Sequence, residues 1–247
     1  MNIIESKFNY YKFLDLKAQS ISEKLKTKSA SIELLNLIIE LYESAKAELN
    51  FANADEFESA YHSPITSEFE FVISRILFHF SKEHKLGWKV LLRKQIGKTA
   101  PDIRIEKMDK TIAVIEIKVN AGWIQPFLSQ DRFDYDSVRY KNKKSKSNPV
   151  DLVDKLKNQL LKYKNAFGLE LENIFFLLPT LDNVHRLHYN KELLDYVEYF
   201  EKTSGLPADN LILLSKNMKL DLSKPGNSPS LEPTTGFERM MNTLKFL

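Results

Sequence analysis

The stretch that most constrains the fold runs from Pro101 to Val119, "PDIRIEKMDKTIAVIEIKV". Two runs rich in strand-forming residues flank a short polar turn near Met108 to Lys110, the pattern of an antiparallel hairpin. Side chains alternate along a strand, so Glu116 and Lys118 share one side while Ile115, Ile117 and Val119 take the other. Ile112 and Val114 are expected on the Glu116 side, which makes the strand apolar on both faces until its last turn. Residues 102 and 116 are symmetric about 109, so Asp102 is expected across the ladder from Glu116. Opposed like charges destabilise a sheet. Two carboxylates so placed need a cation between them.

The rest of the chain supplies the layers around this hairpin. "WKVLLRKQI" reads as a preceding strand of an antiparallel meander, and "NIFFLLPT" and "DNLILLS" as short buried strands. "ASIELLNLIIELYESAKAEL" spaces Ile32, Leu35, Ile38, Ile39 and Tyr42 as one helical face. "TSEFEFVISRILFHF" does the same with Phe69, Val72, Ile73, Ile76 and Phe80, and its Ser67 and Glu70 fit a capping box. "PVDLVDKLKNQLLKYKNAFG" reads as a helix stopped by Gly168, and "NKELLDYVEYFEKTSG" as another. This order predicts an α/β protein whose mixed sheet lies between helices. The expected organisation is a helical region over 1–60, a core over 61–220, and an irregular tail with a short helix over 221–247.

Composition narrows the chemistry. With 43% hydrophobic and 28% charged residues the chain belongs with folded proteins. It has no cysteine, which excludes disulfides and thiolate metal sites and leaves oxygen and imidazole as the metal donors. No apolar run approaches the ~20 residues that cross a bilayer, and the N-terminus lacks the pattern of a signal peptide. A cytoplasmic protein without membrane contact is expected. The formal net charge is only +3, yet "RYKNKKSK" gathers Arg139, Lys141, Lys143, Lys144 and Lys146 in a polar stretch from about 129 to 149. That cluster is either a solvated loop or a contact for a polyanion.

Two readings of the hairpin charges follow from the residues alone. In one, Lys118 forms an ordinary salt bridge to Asp102 or Glu116 at a sheet edge. In the other, Asp102, Glu116 and the backbone carbonyl of Ile117 hold Mg²⁺, with Mn²⁺ as the substitute. The ion would acidify a water and neutralise phosphate charge, and Lys118 would support the negative charge that develops.

Pro101-Asp102, thirteen residues, then Glu116-Ile117-Lys118 resembles the core motif of the PD-(D/E)xK nuclease superfamily. "QLLKY", with Gln159 and Tyr163, is similar to the Gln-x-x-x-Tyr signature of its RecB-like branch. The resemblance covers about residues 63 to 180. It implies a restriction-endonuclease-like mixed sheet flanked by helices, here with an N-terminal helical extension. It also implies a helix that donates a further glutamate, for which Glu68 is preferred because Glu70 already has a capping role. Gln159 would then face the active site and Tyr163 would contact the substrate backbone. The histidine common in that branch has no counterpart in a recognisable motif, since neither His62 nor His79 falls in one.

The function so implied is metal-dependent hydrolysis of phosphodiester bonds, first of all in DNA, with RNA left open. Trp123 would stack on a base or pack against the protein, and the 129–149 stretch would contact phosphates. A homodimer is left open. The alternative is a catalytically silent nuclease-fold module that binds nucleic acid or a protein partner.

Overall fold

The computed structural model describes residues 3–49, 65–119, 149–180, 204–216 and 231–247, with positions 197 and 201 besides. Trp123, the basic cluster from Arg139 to Lys146, His62, and most of the helix expected over 190–205 lie outside the described residues. The helices are Ile3–Lys24 (α1), Ala30–Leu49 (α2), Thr66–His84 (α3), Pro149–Phe167 (α4) and Gly236–Lys245 (α5). The strands are Lys89–Leu92 (β1), Ile103–Lys107 (β2), Lys110–Ile117 (β3), Ile174–Leu178 (β4) and Leu211–Leu213 (β5). They form one sheet in the order β1-β2-β3-β4-β5. β1, β2 and β3 run antiparallel as a meander, whereas β3, β4 and β5 are parallel. Parallel neighbours need a crossover connection, and α4 supplies the one between β3 and β4.

The sheet is covered on both faces. Ile103, Ile105, Ala113, Ile115, Ile117, Phe175, Leu177 and Ile212 share one core with α1, α2, α3 and α5. α1 packs along α3, and α2 packs on α1 and α5. Residues near the N-terminus therefore bury their side chains in the same cluster as the sheet. On the opposite face, Leu160 and Tyr163 of α4 are buried, as are Val114, Ile174 and Phe176 of the sheet. Strands covered on both sides read as near-continuous apolar runs, which is why "NIFFLL" shows no alternation.

Local sequence signals account for several element ends. α4 stops at Gly168, whose φ of +65° suits a residue without a Cβ. Gly236 opens α5 where an added Cβ would stand 3.0 Å from the carbonyl oxygen of Leu213. Two expectations are corrected. Ser67 and Glu70 do not form a capping box: Ile65 is the N-cap of α3, no side chain caps it, and Ser67 lies inside the first turn. Along α2 the buried positions are Ala30, Ser31, Leu34, Leu35, Leu37, Ile38 and Leu41, with Ile32, Ile39 and Tyr42 only partly covered. The face is broader than a single stripe because α1 and α5 both pack against it.

A buried acid ties the two ends of the chain together. Glu238 on α5, 4% exposed, accepts the backbone N–H of Ser31 at 3.1 Å and its hydroxyl at 2.8 Å. Ser31 is in the first turn of α2, where free N–H groups and the helix dipole favour a carboxylate. Glu238→Ala should lower unfolding stability in urea by about 2–3 kcal/mol, since it orphans two buried donors. Glu238→Gln, which keeps an acceptor, should lose less.

Candidate active site

The turn and a bulge decide which residues of the hairpin meet. Met108 and Asp109 both have positive φ, 49° and 59°, and join the paired residues Lys107 and Lys110. Two central residues with φ > 0 make the kind of turn whose twist matches that of the strands. Continued without interruption, that pairing would set Asp102 opposite Ile115. Instead the register slips between Ile105 and Glu106, so that Ile105 pairs with Ala113 and Ile103 with Ile115. Carried one step past the last pair, this register directs Asp102 towards Glu116, and Lys118 Nζ lies within 4 Å of both carboxylates. Ile112, expected on the Glu116 side, is the extra residue and packs against the helical core. A slip of one residue exchanges the two faces of a strand, so this bulge is what brings the carboxylates to one side.

Glu116 is the centre of the resulting cluster and is 4% exposed. Lys118 Nζ lies 2.6 Å from Glu116 Oε1 and 3.8 Å from Asp102 Oδ2. Asp102 Oδ2 also accepts the backbone N–H of Ile117 at 2.8 Å. From α4, Gln159 Nε2 donates to Glu116 Oε1 at 2.9 Å and to the Tyr163 oxygen at 2.7 Å. The Tyr163 hydroxyl donates to Glu116 Oε2 at 2.6 Å. Gln159 and Tyr163 are four residues apart on a helix and so stand one above the other, which lets both hold the same carboxylate. Tyr163, expected against substrate backbone, is buried and commits its hydroxyl to Glu116.

Asp102 bears the strain of this arrangement. Burial, then the charge of Glu116, pushes its carboxyl up to about 6, against the opposing pull of the Ile117 N–H and Lys118. Burial first, and the Glu116 carboxylate second, also raise the Tyr163 hydroxyl well above its usual range, so Tyr163 stays a donor.

The two acids at the start of α3 have different partners. Glu70, 2% exposed, accepts Arg93 Nη2 at 2.8 Å and is also bonded by Arg93 Nε. Glu68 instead accepts the Ser67 hydroxyl at 2.9 Å. Among the helix acids it is Glu70 whose charge contributes to raising Asp102. The backbone N–H of Arg93 donates to the carbonyl of Asp102 at 2.8 Å, which links this pair to the site. No sequence signal marks Arg93. Glu70 fits a capping pattern that the helix does not use. His79 bonds Asp15 at 2.8 Å, beside Arg75, in a separate cluster between α1 and α3. Arg104, 3% exposed, places Nη2 3.0 Å from Glu106, and its guanidinium carbon lies 5.3 Å from the centre of the Phe167 ring.

Among the described residues no three of His, Asp or Glu converge as a ligand cluster. The donors present, two carboxylates that share the Lys118 ammonium, fit a hard divalent ion in kind: Mg²⁺ is commonly held by one or two carboxylates and keeps several waters. Also among the described residues, no helix is long and apolar enough to cross a membrane. The chain matches no protein-family model, no curated protein and no solved structure at a significant level.

Proposed function

We propose that this protein is a metal-dependent phosphodiesterase acting on nucleic acid, first of all DNA, with a restriction-endonuclease-like core. The observation that carries the reading is the convergence of Asp102, Glu116 and Lys118 on one buried sheet face, with Gln159 and Tyr163 fixing Glu116 from the next helix. The resemblance of Pro101-Asp102 and Glu116-Ile117-Lys118 to the superfamily motif gives these residues their roles.

Asp102, Glu116 and the carbonyl of Ile117 would hold Mg²⁺ or Mn²⁺. Such an ion supplies acidification of water and charge neutralisation at the phosphate. Lys118 places a positive charge where negative charge develops on the reacting phosphate. Gln159 and Tyr163 hold the Glu116 carboxylate in one orientation, and Arg93 does the same for Glu70. Because Asp102 gives up its proton only near pH 6, metal loading should strengthen as pH rises through that value.

One observation favours a second reading. Both oxygens of Glu116 already accept hydrogen bonds, and Lys118 supplies the cation between the carboxylates. A nuclease-fold module that binds nucleic acid without cutting it needs nothing more.

Incubation of supercoiled plasmid and of linear single-stranded DNA with Mg²⁺, Mn²⁺ or EDTA separates the two. Cutting that requires metal and disappears in Asp102→Ala is the expected result. Salt-sensitive binding with no cutting under any condition would establish the binding module instead.

A further inference from the structure

Beside Gln159 and Tyr163 opens a cavity of about 310 Å³. One wall is Lys98, Thr99 and Ala100, in the turn that leads into Pro101-Asp102; the other is Gln159, Lys162 and Tyr163 on α4. The three helix residues fall on one face by their spacing of three and four. The lining holds two ammonium groups, a hydroxyl, an amide and a phenol, and no carboxylate. Lys164, on the same helix, is neutralised by Glu170 at 2.7 Å, and Lys118 by Glu116. Lys98 and Lys162 have no ion-pair partner among the described residues. The cavity is therefore positively charged, and two of its six lining residues hold Glu116 directly.

We propose that this cavity binds a phosphomonoester, the terminal phosphate of a nucleic-acid strand. A phosphomonoester carries about −1.5 to −2 charge near neutral pH and presents three acceptor oxygens. Two ammonium groups and the Thr99 hydroxyl match that charge and that acceptor number. An internal phosphodiester carries a single negative charge and so leaves one of the two ammonium groups unmatched. At about 310 Å³ the cavity is at the small end of ligand sites, a size that suits one terminal unit. The consequence for activity rests on the phosphodiesterase reading: strand ends bearing a phosphate would be seated next to Glu116, and cleavage would begin from them.

The test is binding in EDTA, where no strand is cut. Single-stranded oligonucleotides labelled at an internal base, with a 5′-phosphate, a 3′-phosphate or hydroxyls at both ends, are titrated with the full chain. One phosphorylated form should bind about tenfold more tightly than the hydroxyl form, the scale of a charge-assisted contact. In the Lys98→Gln/Lys162→Gln double variant that ratio should fall to about twofold or less, since both charges are gone. Both lysines are exposed, so the fold is expected to survive the change. Equal affinity for all three strands, or a preference that the double variant keeps, would overturn the proposal. An end preference without metal-dependent cutting would count against the phosphodiesterase alone, and cutting without an end preference against the pocket alone.

Discussion

Lys118→Ala is expected to reduce metal-dependent cleavage by about 10²–10³-fold, the usual effect of removing one group that stabilises developing charge, while most nucleic-acid affinity remains. Affinity for a polyanion is spread over many phosphate contacts, and loss of one cation lowers the salt dependence only slightly. The variant also exposes what the ammonium does in the resting protein. Removing one partner of a buried ion pair costs about 3–5 kcal/mol. Lys118 is about a quarter exposed, and Gln159 and Tyr163 still donate to Glu116. A loss of about 1–2 kcal/mol is therefore expected after solvent screening. Mg²⁺ should then raise the melting temperature of Lys118→Ala more than that of the wild type, because a divalent ion replaces the missing charge between Asp102 and Glu116. Calorimetry with and without Mg²⁺, beside plasmid cleavage, reads both effects. Unchanged cleavage would remove Lys118 from the chemistry, and binding lost together with cleavage would make its role one of affinity.

The second large effect has the opposite sign for stability. The Asp102 carboxyl ionises at about 6 in the folded chain, against an ordinary value of 3.8. Its proton is thus held more tightly in the native state than in the unfolded one. The corresponding stability is fully present below about pH 4 and is lost as pH rises to about 6, by about 3 kcal/mol at most. Asp102→Asn removes that dependence and keeps an oxygen to accept the Ile117 N–H. The variant should be more stable than the wild type near neutral pH, by about 1–2 kcal/mol once the lost attraction to Lys118 is counted. It should also be inactive. Urea unfolding at a series of pH values checks this. Should Asp102→Asn lose stability between pH 4 and 6 as steeply as the wild type does, the buried carboxyl is not the source of the slope.

These opposed outcomes bear on how much of the molecule was legible beforehand. Periodicity is a local property, and it located β2, β3 and β4, the apolar stripe of α3 and the end of α4 at Gly168. Period two also placed Glu116 and Lys118 on one side of their strand, and their contact at 2.6 Å follows from it. The pairing of Asp102 with Glu116 was reached by symmetry about residue 109, yet the chain achieves it differently. A two-residue turn centred between Met108 and Asp109 is offset by one bulged residue at Ile112. The partners of the helix acids were hidden for a related reason. Ser67 and Glu70 satisfy a local pattern, but the partner that claims Glu70 is Arg93, 23 residues on, at the end of a strand.

The amino-acid sequence by itself determined the elements, their order and the charged end of β3, because backbone preference and side-chain alternation act over a few residues. Tertiary structure decided the rest. The bulge sets the register, α4 lays Gln159 and Tyr163 onto Glu116, and Glu238 reaches Ser31 from the far end of the chain. Each of these depends on groups distant in sequence competing for the same buried carboxylate or the same strand face, and burial gives that competition its energy.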